Sequence, residues 1–241
     1  MEKMITAGRL AAGISCIGGR RNNEDTLLIR EIGDTTLLAV ADGVGGHCGG
    51  EVASALATKT LLEEIEGGLE GDIDEDGMEA LLAVAFARAH EEIVNEAHGI
   101  LEGMGTTLVA ALIHDSVAVV ANIGDSRAYL LGEGVIFRTR DHSLRQAVLD
   151  GQIKGDWTEY PLRGVLTRSL GHSFEVDTYH VPLHSGETLL LCSDGLHDVV
   201  PDESMLSCMG MDGPSGRVEC LLLQSLPKAL DNVTVAVYTV P

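Results

Sequence analysis

The chain has 241 residues, 45% hydrophobic and 22% charged, enough to bury a full core in one or two domains. Its formal net charge of −21 repels nucleic acid and anionic membranes and concentrates divalent cations, so neither nucleic acid nor membrane is expected as a partner. No apolar run approaches the roughly 20 residues of a membrane span, and Arg9 interrupts the apolar stretch after Lys3, which argues against a signal peptide and for a cytoplasmic protein.

In chain order, residues 10–16 and 26–31 read as short strands, and residues 35–41 as a third that closes a hairpin across Gly33-Asp34. Glu51–Glu64 follows as a helix, with Ala53, Leu56, Ala57 and Leu61 on one face. Residues 63–79 carry nine carboxylates and no basic side chain, and read as a solvated face and inter-helix loop. Within them Asp72-Ile73-Asp74-Glu75-Asp76-Gly77 opens like an EF-hand loop, but Ala83 stands where the bidentate Glu is required. Met78–Ala97 is the second helix, its buried stripe Leu82, Phe86, Ala89, Ile93 and Ala97. His90-Glu91 is not a zincin motif, because Val94 occupies the second histidine position.

From residue 104 the texture becomes β: Thr106–Ile113, Val117–Asn122, Ser126–Leu131 and Val135–Arg138, separated by turn chemistry. A helix over Ser143–Leu149 and a mobile surface loop at 150–164 come next, then strands Val176–Pro182 and Thr188–Cys192. Helices over Asp202–Met209 and Gly216–Leu226 precede a closing strand, Val233–Val240. Helices inserted between β meanders indicate an α+β fold with helices outside packed sheets. Five cysteines, an odd number without a C-x-x-C pair, argue against a disulfide framework and a thiolate zinc site. Cys48, in a glycine loop, reads as a tolerated or buried thiol.

One stretch organises the rest. The apolar run Leu37 to Ala41 ends on Asp42, followed by five glycines within residues 43–50. A strand ending on a carboxylate needs a partner for the charge, and a metal ion is one; a capped strand-to-helix turn is the other reading. The pattern recurs at Ser193-Asp194-Gly195, at Gly124-Asp125 and at Asp231-Asn232. Each alone reads as a turn. Together they would form an oxygen-rich pocket suited to Mg²⁺ or Mn²⁺ rather than Zn²⁺.

The chain resembles the metal-dependent Ser/Thr protein phosphatase 2C family in its compact bacterial or archaeal form. The matching pieces, in family order, are Arg20-Arg21-Asn22-Asn23-Glu24-Asp25, Ala41-Asp42-Gly43-Val44-Gly45-Gly46-His47, Gly105-Thr106-Thr107 and Gly124-Asp125-Ser126-Arg127-Ala128-Tyr129-Leu130, then Arg140-Asp141-His142-Ser143-Leu144, Leu166-Thr167-Arg168-Ser169-Leu170-Gly171, Ser193-Asp194-Gly195-Leu196 and Asp231-Asn232-Val233-Thr234. The resemblance implies a four-layer α-β-β-α sandwich, two antiparallel sheets flanked by pairs of helices, with residues 1–241 as one catalytic domain. It implies that Asp42 bridges two Mn²⁺ or Mg²⁺ ions, with the Gly43 carbonyl on one and Asp194 and Asp231 on the other. Glu24 and Asp25 would act mostly through metal-bound water, Asp125 would help hold a third, weaker ion, and Arg20 would grip the phosphate. A hydroxide between two cations about 4 Å apart would then attack phosphorus in line. The implied substrates are phosphoserine and phosphothreonine proteins, kinases or kinase substrates among them, and the charge with no heptad pattern points to a monomer.

Two positions depart from the family pattern. Val44 stands where animal members carry the histidine taken as general acid, and His47 lies three residues further on. In the 150–164 loop, Tyr160-Pro161 and Gly164 replace a His-Pro step and an Asn common in microbial relatives, which bears on specificity. The histidines His142, His172, His180, His184 and His197 lack ligand spacing and read as surface or supporting residues.

Overall fold

The computed structural model describes residues 3–7, 9–44, 49–69, 71, 73–153 and 164–241. One sheet is built from β1 (Lys3–Ala7), β2 (Ala11–Cys16), β12 (Val233–Thr239), β11 (Thr188–Cys192), β8 (Arg127–Leu131) and β9 (Val135–Arg138), in that spatial order. The other runs β10 (Asp177–Pro182), β7 (Val117–Ile123), β6 (Leu108–His114), β4 (Thr35–Val44), β3 (Asp25–Ile32), and a short β5 (Gly105–Thr106) pairs with the end of β4. Every pairing is antiparallel. The helices α1 (Gly50–Gly68) and α2 (Glu75–Glu96) cover the second sheet. The first is covered by α4 (Asp194–His197), α5 (Asp202–Cys208) and α6 (Gly213–Ser225), and α3 (Leu144–Leu149) follows β9.

Strand alternation produces this layering. In β4, Leu37, Ala39 and Ala41 face α1 and α2, whereas Leu38 and Val40 face the opposite sheet. In β11, Leu189 and Leu191 point between the sheets and Leu190 and Cys192 point to the outer helices. Both faces are apolar, so both must be covered, and three apolar layers result. Fully buried side chains such as Phe86, Leu61 and Leu112 anchor the layer beneath α1 and α2, each worth about 1.5–3 kcal/mol on burial. The four-layer α+β sandwich implied by the sequence is the observed architecture. No helix of the described residues is long and apolar enough to cross a membrane.

Several local expectations are corrected. The second helix begins at Glu75, inside the acidic stretch expected to be loop, because the Asp74 carboxylate accepts from the Gly77 N–H at 2.9 Å and caps it. Glu75 and Asp76 then sit in the first turn, where the helix dipole favours negative charge. The β1 strand and the four-residue α4 had no periodic signal long enough to read. A disulfide joins Cys208 of α5 to Cys220 of α6, their Cα atoms 5.5 Å apart, against the expectation from cysteine count. That pairing follows from how the two helices pack, with no local motif to announce it. Cys16 and Cys192 are buried free thiols; Cys48 lies outside the described residues, as do His47 and most of the 150–164 loop, including Tyr160-Pro161.

Candidate active site

The layer between the sheets is apolar through its middle and turns polar at one end, always on the inward side of each strand. Asp42 has the parity of Leu38 and Val40; Asp25 has that of Leu27 and Ile29. Thr107, Asn122, Ser126, Ser193 and Thr234 likewise continue the inward parity of their strands and are buried. Asp25 and Asp42 are direct partners across β3 and β4. Two carboxylates so placed are neighbours on one face.

Hydrogen bonds from distant segments hold this floor. The Asp42 N–H donates to Thr107 Oγ1 at 2.9 Å, and its carbonyl accepts from the Thr107 N–H and from Thr106 Oγ1, both at 2.9 Å. Ser193 Oγ donates to Asp25 Oδ2 at 2.8 Å, from one sheet to the other. Asn232 ties three loops: its Oδ1 accepts from the Glu24 N–H at 2.9 Å, and its amide donates to the carbonyls of Ile17 and Asn22 at 2.9 and 2.8 Å. Close backbone approaches explain two glycines. A Cβ on Gly195 would lie 1.8 Å from the Asn232 carbonyl oxygen, and one on Gly43 would lie 2.1 Å from that of Gly50. Without side chains there, the start of α4 packs on the β12 loop and the end of β4 packs on the start of α1.

The resulting cavity, of about 210 Å³, is lined by Arg20, Glu24, Asp42, Gly43, Val44 and Asp125, together with Gly164, Leu166, Asp194 and Asp231. Six of the seven residues expected to ligate metal therefore share one cavity with Arg20; Asp25 lies buried beside Asp42. A Cβ on Gly50 would lie only 2.9 Å from Glu24 Oε2 and 3.0 Å from the Gly43 carbonyl oxygen, so both oxygens crowd the start of α1. Arg20 Nη2 donates to Asp231 Oδ2 at 2.5 Å, so the cation and one acidic group are already partners.

Electrostatics fit this crowding. Burial, then the neighbouring carboxylates Asp25, Asp194, Asp125 and Asp231, pushes the Asp42 carboxyl well above the usual range. Burial chiefly lifts Asp25 and Asp125 to about 7 and Asp194 to about 6, with like-charge repulsion adding to each. Such carboxyls lack a compensating cation. Asp25 Oδ1 and Asp194 Oδ1 are also buried without a hydrogen-bond partner among the described residues. The cavity's donors are carboxylate and carbonyl oxygens, with no Cys or His in the described lining, which fits hard divalent cations. A separate cluster of Asp76, Glu79 and His180 lies on the surface, where His180 already bonds Glu75 and Glu79 at 2.8 and 2.9 Å.

Of the two roles expected for the histidines, surface or supporting, His142 and His197 take the second: His142 Nδ1 accepts from the Gly124 N–H at 3.2 Å, and His197 Nε2 donates to the Asp125 carbonyl at 2.9 Å. Both fix the turn that carries Asp125. His197 is kept neutral, its pKa lowered to about 4 chiefly by burial and next by Arg127. The signal available was position alone, since His197 follows Asp194 by three residues within a run noted for its acid.

Known proteins resemble this chain in sequence and fold. The family profile described as Protein phosphatase 2C matches residues 12–211. The chain is 42% identical over 194 residues to the serine/threonine phosphatase stp of Listeria monocytogenes, 77% of each chain. It is 33% identical over 228 residues to the protein phosphatase PhpP of Streptococcus pneumoniae, covering 90% of this chain and 91% of that one. The crystal structure of the Mycobacterium tuberculosis serine/threonine phosphatase PstP/Ppp superposes with a TM-score of 0.81 at 35% identity, over 95% of this chain and 97% of that one. The PstP catalytic domain solved with two manganese ions gives a TM-score of 0.79 at 32% identity, over 100% of both chains.

Proposed function

The chain belongs to the protein phosphatase 2C family, and we infer that it is a metal-dependent phosphatase of phosphoserine and phosphothreonine in proteins. The observation that carries this reading is the buried convergence of Asp25, Asp42 and Asp194, two of whose oxygens lack hydrogen-bond partners among the described residues, on a cavity that also holds Arg20 and Asp231. Asp42 with the Gly43 carbonyl, and Asp194 with Asp231, would hold two Mn²⁺ or Mg²⁺ ions; Glu24 and Asp25 would act through water, and Asp125 would hold a third, weaker ion. Bound there, the ions would supply an acidified water and offset charge on the phosphoryl oxygens.

The chain's own groups do the rest. Arg20 is exposed and uses one N–H on Asp231, leaving other donors of its five-donor fork for phosphoryl oxygens. Thr106, Thr107, Ser193 and Asn232 hold the acidic groups in place before substrate arrives, which removes reorganisation from the reaction. Val44 lines the cavity where animal members of the family carry the histidine taken as general acid, so the leaving seryl or threonyl oxygen would take its proton from water. The reading takes residues 1–241 as one cytoplasmic, monomeric catalytic domain opposing Ser/Thr kinases, with kinases or their substrates as partners and neither nucleic acid nor membrane; the −21 charge supports those last exclusions.

Phosphate release from a phosphothreonine peptide tests the reading. Turnover is expected with Mn²⁺ and none in EDTA; no turnover with either Mn²⁺ or Mg²⁺ would make the chain a binding module instead. Arg20→Ala is expected to raise KM for that peptide by about 10-fold or more, the worth of a charge-assisted hydrogen bond, with a smaller change in Mn²⁺ affinity. The reverse order of effects would take Arg20 out of phosphate binding.

A further inference from the structure

A second cavity, of about 260 Å³, is lined chiefly by Arg127, Arg138 and Arg145, with Asp141, Asp198 and His197. Three arginines at one cavity stand out in a chain with 16 Lys and Arg against 37 Asp and Glu, because elsewhere its field repels anions. Their charges are unequally satisfied. Arg127 is held by Asp141 through two bonds of 2.7 Å, Nε to Oδ1 and Nη2 to Oδ2, so that pair cancels. Arg145 approaches Asp198 only to 3.7 Å, beyond hydrogen-bond distance. Arg138, exposed at the end of β9, has no acidic partner among the described residues.

This cavity opens toward the acidic centre. A neck of about 20 Å³ between them is lined by Asp125 and Asp194, which belong to the first cavity, and by Arg127, Arg145, His197 and Asp198, which belong to the second. The His197 side chain is 3% exposed, and its Nδ1 has no hydrogen-bond partner among the described residues. A water between that nitrogen and a bound anion would supply the donor it lacks.

We propose that this cavity is a second anion subsite, in which Arg138 and Arg145 hold another acidic group of the same substrate, a second phosphoryl group or a carboxylate near the residue being dephosphorylated. The proposal rests on the phosphatase reading of the neighbouring centre. A phosphoryl dianion suits it best, offering three acceptor oxygens to two guanidinium forks that no carboxylate hydrogen-bonds among the described residues. The group is bound and not transformed, so its contribution falls on KM.

Steady-state kinetics with Mn²⁺ test this. The substrates are p-nitrophenyl phosphate, a phosphothreonine peptide, and versions of that peptide carrying a phosphoserine or a glutamate one to four residues to either side. At one favoured spacing the doubly phosphorylated peptide is expected to show kcat/KM about three- to tenfold above the single one, through KM, as for partly exposed charge-assisted bonds. In R138Q/R145Q that advantage disappears, while turnover of p-nitrophenyl phosphate and of the singly phosphorylated peptide stays within about twofold. An equal advantage for the glutamate peptide, lost in the same variant, supports the subsite with carboxylate as its ligand. No advantage at any spacing, or one that survives R138Q/R145Q, overturns the subsite. Absence of p-nitrophenyl phosphate turnover by the unaltered protein would instead overturn the phosphatase reading.

Discussion

Asp42→Asn is expected to lower phosphate release from a phosphothreonine peptide by about a thousandfold or more, while raising the stability of the metal-free protein. The first effect follows from position. Asp42 ends β4 on the inward side, partners Asp25 across the strand pair and lines the cavity with Asp125, Asp194 and Asp231. It is one of the carboxylates that would hold the ions, and a thousandfold corresponds to about 4 kcal/mol of transition-state stabilisation, within what metal catalysis supplies. The second effect comes from the same crowding. Burial and four nearby carboxyls disfavour the Asp42 charge, so a neutral amide of the same shape relieves a repulsion that only a cation otherwise offsets. Assays of kcat at saturating Mn²⁺, with urea unfolding in EDTA, measure the two together. A variant of ordinary activity would remove Asp42 from the chemistry. One that is inactive and less stable in EDTA would show that the residue acts by holding the fold.

In EDTA, stability is expected to fall as pH rises from about 4 to about 7, the reverse of ordinary acid denaturation. The folded protein holds Asp25 and Asp125 at about 7 and Asp194 at about 6, against 3.8 in an unfolded chain. Well below pH 4 these groups are protonated in both states and no penalty exists. Above it the unfolded chain releases protons that the folded chain retains, so the unfolded state gains until the folded groups also ionise. A single carboxyl raised this far costs on the order of a few kcal/mol near neutral pH. Other groups act in the opposite sense: His142 holds Asp177 below the ordinary carboxylate range even though burial opposes it. The site is therefore read from the difference between unfolding curves in Mn²⁺ and in EDTA. That difference should widen from pH 4.5 to 8; a constant difference would mean the cation does not bind these carboxyls.

Much of this was legible because each acidic residue punctuates a strand. Asp42, Asp194, Asp125 and Asp231 follow or precede β-prone runs; alternation carries Asp42 inward, and the other three stand just outside the strands near the inward residues Ser193, Ser126 and Thr234, at the same end of the sandwich. The scaffold beneath them was not legible. Asn232 and Glu24 are 208 positions apart, and Ser193 and Asp25 are 168 apart, so their bonds exist only once both sheets have paired. His197 read as a surface or supporting residue because its partner, the Asp125 carbonyl, belongs to the backbone and leaves no trace in side-chain spacing. The first turn of α2 was lost in an acidic stretch whose capping role depends on one hydrogen bond from Gly77. The Cys208–Cys220 pair depends on helix packing and not on cysteine count.

The central claim is that these carboxylates exist to hold divalent cations, and Mn²⁺ stoichiometry by equilibrium dialysis tests it most directly. Two tightly held ions per chain are expected, falling to one or none in Asp194→Asn with the fold retained by circular dichroism. No tight Mn²⁺ on the unaltered protein, or two ions still held by Asp194→Asn, would contradict the account.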